Sequence, residues 1–103
     1  MTTETIEEII IDEKIAGNVI EPGKYNVIFL NDDTTPMEFV IEVLMNIYKH
    51  SEETARDITM TIHNEGAGVV GIYTYEIAEQ KAVETTTLAR NHGFSLQIKV
   101  EEE

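Results

Sequence analysis

Oxygen acceptors crowd one short stretch, Asn31-Asp32-Asp33, between an apolar run (Val27, Ile28, Phe29, Leu30) and a helical pattern that starts at Phe39. Asn and Asp favour turns for structural reasons alone, because their side chains bond the neighbouring backbone. Here an apolar residue, Met37, follows one turn later. Acceptors beside a greasy surface suit a cation carried on an apolar group. His63 is a further candidate acceptor, since it follows Ile62 on the inner side of an expected helix. His50 and His92 fall at expected helix boundaries, where an imidazole commonly answers the helix dipole. Other chemistries fit less well. The chain has no cysteine, so it has no disulfide, thiol nucleophile or thiolate metal site. A hydrolytic or metal site would have to use Asp32, Asp33 and His63, whose spacing matches no ligand motif. Adjacent carboxylates in a strand or turn tend to point apart. No nucleophile–base pattern is present, so neither an enzyme nor a cofactor is expected.

The elements that must position these residues follow from the pattern. Tyr25 to Leu30 reads as a strand, β-branched and aromatic, and apolar enough for both faces to be covered. A first helix is expected from Pro36 to about Tyr48. Thr35 would be its N-cap, Pro36 its first residue and Glu38 the far half of a Thr-x-x-Glu capping box. Phe39, Val40, Val43, Leu44 and Ile47 form its buried stripe. Ser51 can cap a second helix, with Glu52 and Glu53 in its first turn, Ala55, Ile58 and Ile62 facing inward and Gly66 ending it. Ala67 to Tyr73 reads as a second strand. Thr74 can cap a third helix running to about Asn91, and Gly93 stops it. Phe94, Leu96, Ile98 and Val100 then alternate with Ser95, Gln97 and Lys99, a strand with one face buried. The order β-α-α-β-α-β predicts an α+β two-layer sandwich of a three-stranded antiparallel sheet and three helices.

At 103 residues the chain is long enough for one core. Residues 1–24 read as a flexible acidic N-terminal extension, with six acids against two lysines, and residues 25–103 as the core domain. Ile9-Ile10-Ile11 is the one strong apolar run in that extension. Twenty acids against 7 bases give a net charge of −13. That disfavours nucleic acid, which needs a basic face, and anionic membrane surfaces. It favours a basic or amine-bearing partner. No apolar run approaches the ~20 residues of a membrane span. The N-terminus lacks the basic region of a signal peptide, so a cytoplasmic protein is expected, and a monomer is expected because no apolar surface face announces a dimer.

Tyr25-Asn26-Val27-Ile28-Phe29-Leu30-Asn31-Asp32-Asp33-Thr34-Thr35-Pro36-Met37-Glu38-Phe39-Val40 resembles the opening of the ClpS adaptors of the Clp protease. Ile62-His63-Asn64-Glu65-Gly66, Gly71-Ile72-Tyr73-Thr74-Tyr75-Glu76-Ile77-Ala78-Glu79 and Lys81 resemble that family as well. The resemblance runs from residue 25 to about residue 98. It implies a protein that is not an enzyme but an N-end rule adaptor. Such a protein binds substrates whose first residue is Leu, Phe, Tyr or Trp (N-degrons) and delivers them to a Clp AAA+ unfoldase of the ClpA or ClpC type. It further implies that Asn31, Asp32 and His63 hold the free α-amino group. Thr35, Met37, Ile62 and Leu96 would line the pocket for the first side chain. Glu76 and Lys81 would meet the N-terminal domain of the unfoldase, and the extension would engage the unfoldase during delivery. Two positions depart from the family pattern. Thr59 stands where a bulky apolar residue, often Met, is usual, which would deepen or wet the pocket. Gly68 stands near a usual Lys-Ala. An unfoldase-binding regulator with an altered or lost pocket is the alternative. A third possibility is a structural interaction domain like the C-terminal domain of the ribosomal stalk protein, but fold alone would not require the acceptor set.

Overall fold

A computed structural model describes residues 23–103, so the extension expected over residues 1–24 lies almost wholly outside the described residues. The described chain forms strand β1 (Tyr25–Leu30), helices α1 (Met37–Asn46) and α2 (Glu52–Glu65), strand β2 (Ala67–Tyr73), helix α3 (Tyr75–Asn91) and strand β3 (Gln97–Glu102). Both edge strands run antiparallel to the central one, in the order β2-β1-β3. The α+β sandwich and its element order are as the pattern predicts.

Several local expectations need correcting. Helix α1 starts at Met37 with Pro36 as its N-cap, and no side chain caps it. Thr35 instead turns its hydroxyl to Asp32 Oδ2 at 2.9 Å. Glu38 is largely exposed and approaches Arg56 at 3.9 Å. The Thr-x-x-Glu box therefore does not form: the helix is capped one residue later, at Pro36, and Thr35 donates its hydroxyl to the Asp32 carboxylate. Thr74 precedes α3 without a side-chain cap bond, whereas Ser51 does accept from the Thr54 N–H. The third strand begins at Gln97, later than the alternation suggested. On β1, Val27 and Phe29 are buried, but Ile28 and Leu30 are half-buried, so the outer sheet face is only partly covered.

The core sits between the sheet and the helices, with Phe29, Leu44, Leu96, Val27, Val43 and Val70 as its most enclosed large side chains. Helix α3 contributes small residues, Ala78, Ala82, Thr85 and Ala89, so its axis can lie close to the sheet. The larger Ile77 and Leu88 are left 41% and 36% exposed. The register of β1 against β2 shifts between Val27 and Ile28. Val70 is the unpaired residue of this bulge; its side chain is buried and its carbonyl accepts from His50 Nε2 at 2.6 Å. His50 is therefore a structural tie between the α1–α2 connection and β2, not a loose dipole partner. His92 takes its expected place at the end of α3, with Nδ1 3.0 Å from the Leu88 carbonyl and its ring 6.0 Å from that of Phe94.

Candidate functional site

Helix α2 ends at Gly66, whose φ of 91° is open to glycine at little cost. Its N–H returns to the Ile62 carbonyl, and its own carbonyl accepts from the Asn31 N–H at 2.9 Å. One glycine thus fixes the Asn31 turn against the last turn of α2, the turn that carries Ile62 and His63. The turn is braced from the other side as well. Asp32 Oδ2 accepts from the Thr34 N–H at 3.0 Å, the Thr34 hydroxyl at 2.6 Å and the Thr35 hydroxyl. The Thr34 side chain hydrogen bond is the main reason the Asp32 carboxyl is held below its ordinary value of 3.8. Thr34 Oγ1 in turn accepts from the Ser95 N–H at 3.2 Å, joining the turn to the segment before β3. Arg90 Nη1 donates to the Phe94 and Leu96 carbonyls at 2.9 and 2.8 Å, which fixes Leu96.

These ties bring Asn31, Asp32, Thr35, Met37, Thr59, Ile62, His63 and Leu96 around one cleft with about 270 Å³ of empty space. Every residue expected from sequence for the amine site and the pocket lines it. Val40 joins them and was missed. It lies three residues after Met37 and so on the same helix face, a spacing that would have found it. Asp33, the third acceptor of the turn, is exposed and is not part of the cleft lining.

The cleft is divided by polarity. Val40, Thr59, Ile62 and Leu96 are buried and make its floor, while Met37, 37% exposed, stands at its rim. Asn31 and His63 are exposed and Asp32 is half-buried, so the polar groups lie toward solvent. The Asn31 amide, Asp32 Oδ1 and the His63 ring have no hydrogen-bond partner among the described residues. Thr59 donates its hydroxyl to the Ala55 carbonyl at 2.8 Å, so its proton is spent within its own helix. The expected wetter pocket does not follow from a satisfied hydroxyl, whereas the missing volume of a larger side chain does. A Cβ on Gly68 would stand 2.9 Å from Ile62 Cγ1, so the glycine leaves Ile62 room to sit back from the cleft.

Glu76 and Lys81 lie elsewhere. Glu76 is exposed in the first turn of α3. Lys81 Nζ donates to the Ile47 carbonyl at 2.7 Å and lies 5.7 and 5.4 Å from the ring centres of Tyr48 and Tyr73. Helix α1 has no basic residue in its last turn, and Lys81 supplies the cation its C-terminal carbonyls favour.

Comparison with known proteins agrees with this geometry. The family model of the ATP-dependent Clp protease adaptor protein ClpS matches residues 20–99. The chain is 47% identical to the Treponema denticola ClpS adapter protein over 87 residues, covering 84% of this chain and 86% of that protein. It is 51% identical to the Campylobacter jejuni ClpS adapter protein over 83 residues, 81% of this chain and 86% of that one. Agrobacterium tumefaciens ClpS2, solved bound to L-phenylalaninamide, superposes with a TM-score of 0.78 at 44% identity, covering 81% of this chain and 100% of that one. A matching family model, relatives this similar along most of their length and a shared fold lead to one assignment: the chain belongs to the ClpS family of adaptors of the ATP-dependent Clp protease.

Proposed function

We propose that the cleft binds the free α-amino group and bulky apolar first residue (Leu, Phe, Tyr or Trp) of N-degron proteins, which the adaptor then delivers to a Clp AAA+ unfoldase. The observation that carries this reading is the placing of three acceptors, uncommitted among the described residues, around one apolar cleft. An ammonium has three donors and needs three acceptors. Asn31 Oδ1, Asp32 Oδ1 and a neutral His63 nitrogen match that number. Each charge-assisted bond contributes roughly 1.5–3 kcal/mol. Burying a Leu or Phe side chain against Val40, Ile62 and Leu96 adds ~1.5–3 kcal/mol. At the upper end of these ranges, less an association cost of about 4 kcal/mol, the total reaches micromolar binding. The phenylalaninamide on the Agrobacterium relative carries the same two groups, a free amine and an aromatic side chain. Flexible Met37 at the rim accommodates several shapes and disfavours branching at Cβ. Glu76, with Lys81 on the same helix, is assigned to the N-terminal domain of the unfoldase, of the ClpA or ClpC type.

The test is fluorescence anisotropy of labelled peptides beginning with Leu, Phe, Tyr, Trp or Ile, each beside its N-acetylated twin. Free-amine Leu and aromatic peptides bind, and acetylation, which removes the charge and two of the three donors, costs at least about 3 kcal/mol, a hundredfold or more. Equal binding of the twins overturns the amine site. Absence of binding, with unfoldase binding retained, moves the function to an unfoldase regulator.

A further inference from the structure

On the side of α1 away from the first-residue cleft, the helix row Phe39, Val43 and Ile47 faces Leu88 of α3 across an open groove. Helix α1 packs chiefly on α2, which leaves this slot between α1 and α3 unfilled. The groove opens to solvent and runs past Phe39, Ile47 and Leu88 to Asn91, so it suits a length of chain better than a single side chain. Its floor is apolar but recessed: Val43 and Ile47 are buried and Phe39 is half-buried, which leaves Leu88, 36% exposed, as its most open apolar side chain. Its rims carry the exposed carboxylates Glu42 and Glu84.

We infer that this groove docks a basic amphipathic helix of a partner protein, its apolar stripe on Leu88 and the edge of Phe39 and its Lys or Arg residues against Glu42 and Glu84. Charge selects the occupant. The chain's own residues 1–22 carry six acids and one lysine, and a second copy would bring the same acidic rims. A basic helix is complementary on both counts. Because Met37 and Val40 line the first-residue cleft whereas Phe39 and Val43 line the groove, both can be occupied together.

The probe is an N-acetylated Leu/Lys amphipathic helix of roughly four turns, titrated into the full 103-residue chain and followed by anisotropy and backbone amide shifts. Acetylation keeps it out of the amine site. It binds equally with and without saturating phenylalaninamide and shifts the amides of Val43, Ile47 and Leu88 while sparing Ile62. Glu42→Lys with Glu84→Lys weakens it about tenfold, and the control pair Glu53→Lys with Glu65→Lys leaves it within about twofold. Leu88→Asp weakens it as well. Equal loss in both charge-reversal pairs overturns the proposal, because the probe would then be reading only the general acidity of the chain. So does the absence of binding, or shifts confined to other faces. A dimer in sedimentation that Leu88→Asp dissociates gives the groove to a second copy. Groove amides that shift when residues 2–22 are removed give it to the chain's own N-terminal segment.

Discussion

Asp32 carries two duties on one carboxylate. Oδ2 holds the turn together by accepting from Thr34 and Thr35, and Oδ1, without a partner among the described residues, is the oxygen proposed to meet an ammonium. The division depends first on the Thr34 hydroxyl, which holds the Asp32 carboxyl below its ordinary value. A lowered carboxyl contributes stability that is present above the unfolded value of 3.8 and lost as the pH falls through the folded one. Thr34→Val should move the Asp32 titration back up toward 3.8, read by carboxyl-carbon NMR, and should weaken amine-peptide binding only as the pH falls toward that value. An unmoved titration would show that the Thr35 hydroxyl and the backbone N–H bonds hold the carboxylate. The candidate site was legible in the sequence because its polar members sit in two short runs, 31–35 and 62–63, of residue types that accept hydrogen bonds. The role of the Thr35 hydroxyl was not legible. A capping box and an Asx-type turn use the same residues, and only the fold decides whether that hydroxyl accepts from the helix or donates to Asp32.

At the scale of elements, the helices α1 and α3 are joined through polar groups more than through apolar packing. Tyr48 shares a 2.8 Å hydrogen bond with Thr85 Oγ1, and Lys81 reaches the end of α1. Burial is the main cause that pushes the Tyr48 hydroxyl up to about 12. A raised folded value means that the tyrosine stabilises the fold fully below the unfolded value of 10.0 and ceases to as the pH climbs toward 12. Alkaline unfolding should therefore set in between those limits. Tyr48→Phe should cost about 1 kcal/mol at neutral pH and flatten that alkaline loss, as measured by denaturant titration at several pH values. An unchanged alkaline limb would place the loss in another group. A second prediction concerns β2 against α2. Gly68→Ala puts a methyl within 2.9 Å of Ile62 Cγ1 and should drive Ile62 into the cleft. Overpacking of this kind costs typically 1–3 kcal/mol. Peptides beginning with Trp or Phe should lose more affinity than those beginning with Leu, and equal losses would mean that Ile62 yields away from the cleft. Element order and type were readable from periodicity. The bulge at Val70 was not, because nothing in Ala67-Gly68-Val69-Val70-Gly71 marks which residue will go unpaired. Nor was the shallow inward face of α3, since a stripe of Ala and Thr carries little hydrophobic signal.

For the molecule as a whole, the net charge is −13, and the proposed ligand of the cleft carries a cation. The field should draw amine-bearing peptides in, and this effect acts on encounter more than on the bound state. Raising the salt from low to physiological strength shortens the reach of that field. The association rate of a Phe-initiated peptide should fall several-fold, with dissociation nearly unchanged. Stopped-flow traces in which only dissociation responds would remove any role for steering.

The central position of β1 has a mechanical consequence. Tyr25 opens the middle strand of the sheet directly after the first stretch of chain, and it is bonded to a neighbour on each side. A machine that grips the first residues and pulls must slide β1 past both neighbours together. Pulling on the last residues loads β3, which has one neighbour only among the described strands. The molecule should therefore be hard to unravel from the front and easier from the back. An adaptor handed to an unfoldase by its leading end would withstand the pull that its cargo does not.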